Sequence, residues 1–178
     1  MSPDVPVMNA TEAAEFIAER HHLVRVATVD ADGRPHVVPV WYLPVDGALL
    51  ITPRAESAWL PNLKPEPWVA AVIDEGVPPQ RKVVVSTRAE MLYEPGHDDA
   101  WRDVYRRICL RYWDEKEVDV YLEATIHVRR ALISVPLRFG TPEVQTWRLP
   151  MADEDPRGIW AVRYGPVIFG SGASSGNC

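Results

Sequence analysis

Pro39 lies inside the β-rich run Arg34-Pro-His-Val-Val-Pro-Val-Trp-Tyr-Leu43. Proline has no N–H to give to a ladder, so the strand must sit at an edge or be irregular there, and neighbouring backbone groups are left over. Those groups either curve the sheet through a bulge or face a flat ligand. His21, His22 and His36 are the residue types of a metal or haem ligand set, without the Cys or carboxylate spacing of such a site. Satisfied or solvated imidazoles account for them, and no metal site is expected. Cys109, in mid-helix, reads as a small buried residue rather than a nucleophile. Arg106, Arg107 and Arg111 form a basic patch of the kind that a helix turns to solvent. No side chain stands out as a required general acid or base.

The elements that must position these groups alternate between two periods. Asn9 or Thr11, followed by acidic residues, caps a short amphipathic helix carrying Phe16 and Ile17. Leu23–Val29 and Arg34–Leu43 flank Asp30-Ala-Asp-Gly33, the signature of a hairpin. Pro44-Val-Asp-Gly47 leads into Ala48–Thr52, which extends the hairpin to a three-stranded meander. Ser57 to Lys64 predicts one or two helical turns with Ser57 as N-cap, closed by Pro65 and Pro67. Trp68–Ile73 and Arg81–Leu92 are two more strands. His97 to Glu117 predicts the longest helix, with Trp101, Val104, Tyr105, Ile108 and Tyr112 on one face. Ala124–Val135 and Val144–Trp147 complete the sheet. The fold class is mainly β (α+β): about six or seven antiparallel strands in a small barrel with flanking helices. A βαβ dinucleotide fold does not fit, because no helix separates the early strands.

The chain has 178 residues, 47% hydrophobic and 25% charged, enough for one core and too short for two comfortable ones. Lys+Arg 19 against Asp+Glu 25 gives a net charge of −6, which argues against nucleic acid and anionic membrane as partners. Two cysteines, Cys109 and Cys178, cannot build a disulfide framework and point to a reducing, cytoplasmic setting. Neither a leader peptide nor a membrane span is evident. Residues 1–149 are read as the barrel domain and 150–178 as a C-terminal arm and flexible tail, with Trp160 and Tyr164 as anchors or as a cap over a pocket. Pro 17 exceeds Gly 10, so the chain is punctuated by stiff turns.

The run from Leu23 to Tyr42 resembles the opening of the pyridoxamine 5′-phosphate oxidase-like superfamily of split β-barrel flavin and deazaflavin oxidoreductases. Asn62-Leu63, Arg88-Ala89-Glu90, Arg111-Tyr112 and Trp147 agree in order and spacing, and the likeness covers roughly residues 9–149. The resemblance implies a homodimer with a flavin at each of two sites lined by both subunits, and a small-molecule substrate. It also implies backbone contact from Pro39, Val40 and Trp41 to an isoalloxazine, with Asn62 in the cofactor-side motif. The superfamily includes haem-binding and non-catalytic members as well.

Two positions depart from the pattern. A Lys that holds the cofactor phosphate in many members is here Trp59, and a common Gly of the fifth strand is Thr87. Thr52, Arg54 and Ser57 lie on the same connection; Arg54 stands in for the Lys or is solvated, and Ser57 meets a phosphate or simply caps a turn. Trp59 is core, a dimer contact, or an aromatic wall over a ring. Arg111-Tyr112 either serves the family site or pairs with a carboxylate across a dimer. FMN is the expected cofactor, since one phosphate needs fewer cations than the polyanionic tail of the deazaflavin coenzyme. The alternatives are that coenzyme, haem, or no cofactor in a binding or subunit protein.

Overall fold

The computed structural model describes residues 7–150 and 153–154; the expected arm, with Trp160 and Tyr164, lies outside the described residues. Helix α1 (Ala10–Ala18) begins at Asn9, not Thr11. The Asn9 side-chain oxygen accepts from the amides of Thr11 (2.9 Å) and Glu12 (3.0 Å), and Glu12 returns the bond from the Asn9 amide at 2.8 Å. This reciprocal capping satisfies the orphan amides of the first turn. Phe16 and Ile17 are buried on its inner face.

Among the described residues, nine antiparallel strands form two sheets. They are β1 (Val24–Val29), β2 (Pro35–Val40), β3 (Leu43–Val45), β4 (Ala48–Ile51), β5 (Trp68–Asp74), β6 (Lys82–Arg88), β7 (Glu90–Tyr93), β8 (Leu132–Pro136) and β9 (Val144–Trp147). One sheet has the order β2-β1-β5-β6-β9 and the other β3-β4-β8-β7, an α+β arrangement consistent with a split barrel. The expected hairpin is present, in register from Val24↔Val40 to Val29↔Pro35. Its turn is held by Asp30, whose carboxylate accepts from the amides of Asp32 (2.9 Å) and Arg34 (2.8 Å), and by Gly33 at φ +80°. Pro39 occupies an edge strand, as its missing N–H requires.

The strand count exceeds the expected six or seven because two long runs break where the chain changes sheets. The first break is at Trp41-Tyr42. Tyr42 turns wholly inward, its amide donating to Tyr112 Oη (3.2 Å) and its hydroxyl to Ile17 O (2.8 Å). Hydrophobic patterning does not register such a corner. The expected three-stranded meander is therefore wrong: β4 pairs with β3 and β8 in the other sheet, not with β2. The second break is at Ala89, whose amide leaves the ladder for Pro67 O at 2.8 Å.

The long helix is also corrected. A 3-10 turn (Asp98–Ala100) precedes α2 (Arg102–Cys109), and a separate helix α3 spans Glu115–Ala124. Asp114 makes the division, in extended conformation, by accepting from the Glu117 amide at 2.9 Å while Glu117 caps it in return. Of the run read as a strand from Ala124, only Ala124 belongs to α3; Thr125 caps that helix and residues 125–128 form turns, so β8 begins only at Leu132. The segment at Ser57 contains only a four-residue 3-10 turn, Leu60–Leu63, entered through Trp59. Ser57 is not its side-chain cap; its carbonyl accepts from Leu60 N at 3.1 Å.

Strand β8 is buried on both faces and divides the core in two. Ile133 and Val135 join the barrel interior with Phe16, Tyr42, Ile51 and Val85, while Leu132 packs with Trp101, Tyr105, Cys109 and Val118 under the helices. Burial pushes the Cys109 thiol up to about 11, in keeping with an inert core cysteine.

Candidate functional site

A cavity of about 430 Å³ opens where the β2 edge meets the helices. One side is Val38, Pro39, Val40 and Trp41, where alternate backbone groups point away from β1 and meet no second strand among the described residues. The floor is Thr52, Pro53, Arg54, Ser57 and Trp59, from the chain that leaves β4. Tyr105, Trp113 and Tyr121 close it from α2 and α3, and Arg130 lies at its base. Seven of the eight positions singled out in the sequence thus face one space: Pro39, Val40, Trp41, Thr52, Arg54, Ser57 and Trp59. Asn62 does not. Its buried amide donates to Thr28 Oγ1 at 2.9 Å, bracing the 3-10 turn against β1.

The aromatic side is a packed set. Trp41 stacks on Tyr112 (4.7 Å between centroids, 8° between planes) and meets Trp113 edge-on at 4.7 Å, and Trp113 meets Tyr121 edge-on at 4.9 Å. Such contacts fix each ring's orientation. Trp59, only 3% exposed, belongs to the barrel core and also lines the cavity.

The electrostatics centre on Arg130, a residue that strand-like patterning around Val128–Val135 concealed. It is 7% exposed; its amide donates to Asp98 Oδ1 at 2.8 Å, while its guanidinium makes no ion pair with a carboxylate among the described residues. Its Nη1 donates to Thr52 O (3.1 Å) and its Nη2 to Tyr121 Oη (3.2 Å); its guanidinium lies 4.4 Å over the Tyr105 ring, and its Nε has no partner. Arg54 is brought alongside by an isolated antiparallel bridge between the backbones of Arg54 and Arg130. Burial pushes the Tyr105 hydroxyl well above the ordinary tyrosine range. Tyr121 goes the other way: burial raises it, but hydrogen bonds from Tyr105 and Arg54 and the charges of Arg130 and Arg54 outweigh that and bring it below its usual value. A buried, unneutralised cation with hydroxyl donors beside it suits an oxyanion. Arg130 had one legible signal, a double arginine leading into an otherwise apolar run.

The remaining candidates serve the scaffold. Arg111 donates to the carbonyls of Ala18 (3.0 Å), Ile17 (3.1 Å) and Glu19 (2.7 Å) at the end of α1, and lies 4.8 Å over the Tyr42 ring. Tyr112 Oη donates to His22 O at 2.7 Å. Arg106 pairs with Asp119. Glu19, His22 and Glu75 come together, but Arg81 donates to both carboxylates, Glu19 (2.7 and 2.9 Å) and Glu75 (2.8 Å at each oxygen), so an ion-pair network occupies the oxygens. Those bonds lower both carboxyls. Thr87 is fully buried on the inner face of β6, its hydroxyl without a partner.

The sequence profile of pyridoxamine 5′-phosphate oxidase matches residues 10–132, well over half of the chain. The chain belongs to the pyridoxamine 5′-phosphate oxidase family. Solved structures agree at the level of fold. A conserved hypothetical protein, Rv2991 from Mycobacterium tuberculosis, is 21% identical with a TM-score of 0.64, over 87% of this chain and 98% of its own. An FAD-binding protein from Mesorhizobium loti is 20% identical at 0.59, over 82% and 98%. The haem storage protein HutZ from Vibrio cholerae is 20% identical at 0.56, over 75% and 93%. A search of the curated proteins finds no match. Among the described residues, no helix of this family member is long and apolar enough to cross a membrane.

Proposed function

We propose that this chain is a flavin-dependent oxidoreductase acting on a small organic substrate. FMN lies in the 430 Å³ cavity, and a second copy completes the site in a homodimer. The observation that carries the reading is the cavity's two-ended character. At one end are backbone groups of an edge strand and flat aromatic walls; at the other are two arginines, one buried without a carboxylate. A flavin mononucleotide has the same division, and the volume falls in the range of ordinary cofactor pockets.

When bound, the flavin supplies the hydride or electron chemistry. The protein's own residues bind and orient. Main-chain groups near Pro39, Val40 and Trp41 would hold the polar atoms of the flavin, and Trp41 and Trp113 would exclude water from it. Arg54 and Arg130, with Thr52 and Ser57 nearby, neutralise the phosphate in place of the Lys that Trp59 supplants. A single arginine pair favours FMN over the deazaflavin coenzyme with its longer anionic tail. Haem fits less well, because the residues lining the cavity include no His, Cys or Met and offer an iron only tyrosine oxygens.

The test is the absorption spectrum of the purified protein, before and after addition of FMN. The expected result is a yellow protein that releases flavin on denaturation, or a colourless one that takes up FMN saturably. Colourless protein that ignores FMN overturns the reading, and saturable haem uptake in its place gives the site to haem. Sedimentation equilibrium on the same sample checks the homodimer.

A further inference from the structure

Strand β2 ends at Val40 and β3 begins at Leu43, so Trp41 and Tyr42 belong to no ladder among the described residues. Yet Trp41 lines the cavity, and something other than sheet pairing must hold it there. Tyr112 reaches this corner twice. Its ring stacks on Trp41, and its hydroxyl accepts from the Tyr42 amide at 3.2 Å while donating to His22 O at 2.7 Å. Tyr112 is not itself one of the residues that line the cavity. We propose that Tyr112 is a positioning residue of the ligand site: it fixes the Trp41 wall and the backbone beside it, and acts on the ligand only through Trp41. The proposal deepens the flavin reading and rests on it for the ligand's identity.

The support runs from the rigid part of the molecule to the part without support of its own. Arg111, just past α2, holds the last carbonyls of α1, and Arg20, just past α1, donates in return to Leu110 O (2.7 Å) and Arg111 O (3.3 Å). Each helix end is thus capped by an arginine of the other, and Tyr112 stands on that junction with its amide bonded to Cys109 O at 2.9 Å. The phenol is fully used. Its one hydrogen goes to His22 O, and its lone pairs take the Tyr42 amide and Arg111. Burial lifts the hydroxyl above its ordinary value, so it keeps that hydrogen through neutral pH. Stacking alone leaves two rings free to slide; a hydroxyl tied to two backbones stops the slide and leaves the indole one plane, 8° from that of the phenol. Without the phenol the amide of buried Tyr42 loses its partner, and Trp41 gains rotamers that a ligand must then freeze. Tyr112 therefore contributes to affinity by ordering the wall before the ligand arrives.

Titration with FMN tests this on the intact chain, on Tyr112→Leu, Tyr112→Phe and Trp41→Leu, and on Tyr112→Leu combined with Trp41→Leu, with Tm and the near-ultraviolet circular dichroism of each. Tyr112→Leu is expected to weaken FMN about tenfold, and Tyr112→Phe, which keeps the ring and loses the tether, about threefold. Trp41→Leu alone should weaken it at least as much as Tyr112→Leu. In the Trp41→Leu background Tyr112→Leu should add less than about a further twofold, because the two act as one unit. A lowered Tm with FMN affinity unchanged in folded Tyr112→Leu is what a merely structural role gives, and it overturns the proposal. A full tenfold effect of Tyr112→Leu in the Trp41→Leu background also overturns it, since Tyr112 then acts by another route. If Tyr112→Leu does not fold, Tyr112→Phe decides: unchanged FMN affinity overturns the proposal too. If the wild type takes up no FMN, the flavin reading falls separately. The near-ultraviolet tryptophan signal then decides for the wall: altered in Tyr112→Phe, it upholds the positioning of Trp41, and unaltered it overturns it.

Discussion

Replacing Arg111 with methionine should loosen the α1 helix from the body of the protein while leaving the side-chain stem packed. Three donors are lost, at 3.0, 3.1 and 2.7 Å from the carbonyls of Ala18, Ile17 and Glu19. These carbonyls end α1 and have no amides beyond to satisfy them, and the guanidinium also opposes the negative end of the helix dipole. Hydrogen bonds from a buried charge contribute about 1.5–3 kcal/mol each; at this partly exposed site about 1 kcal/mol each is the fitting scale, so about 3 kcal/mol in all. For a chain of this length the loss lowers Tm by roughly 6–12 °C. Thermal and urea unfolding followed by circular dichroism measure it, with Arg111→Lys as a control that keeps the charge but not the three-pronged reach. If Arg111→Met leaves Tm within about 1 °C of wild type but dissociates an oligomer, the intrachain clamp is refuted and Arg111 pairs across an interface.

The Arg81 network predicts an acid limb of stability. Glu19 and Glu75 are held below their ordinary values when folded, so their contribution is complete above the unfolded carboxyl range and is lost as pH falls through the folded values. Glu75→Gln should cost about 2 kcal/mol near neutral pH and flatten the decline between about pH 5 and pH 3, read from urea midpoints against pH. Trp59→Lys restores the residue that the family uses for phosphate, yet Trp59 is 3% exposed within the barrel core. The expected outcome is a loss of about 3 kcal/mol or more in chemical unfolding, without a gain in FMN affinity.

Hairpin β1–β2, a cap at Asn9 or Thr11, an edge or irregular position for Pro39 and the 144–147 strand were legible because each is local: a turn residue, a capping side chain or a missing N–H acts within a few positions. The floor and edge of the cavity were legible through the family resemblance, which points to the backbone at Pro39–Trp41 and to the connection Thr52–Trp59 where the family carries its Lys. The errors share a cause too. Asp114 begins a second helix where apolar periodicity suggests one continuous helix, and Tyr42 and Ala89 leave their ladders for partners at Tyr112 and Pro67, distant in sequence. Periodicity reports which face is buried, not which sheet buries it. Asn62 could not be told from a ligand contact until Thr28 was found beside it.

By itself the sequence determined that this is a mainly β chain with an edge or irregular strand at Pro39 and a basic, hydroxyl-bearing connection at residues 52–57. Patterning and turn chemistry are properties of neighbours along the chain. Only the tertiary structure decided that Arg130 lies beside Arg54, that two tyrosines from successive helices meet at its guanidinium, and that Arg111 serves a helix end instead of a ligand. Charge on a lone arginine has no fixed meaning until burial removes water and leaves its partners to be counted.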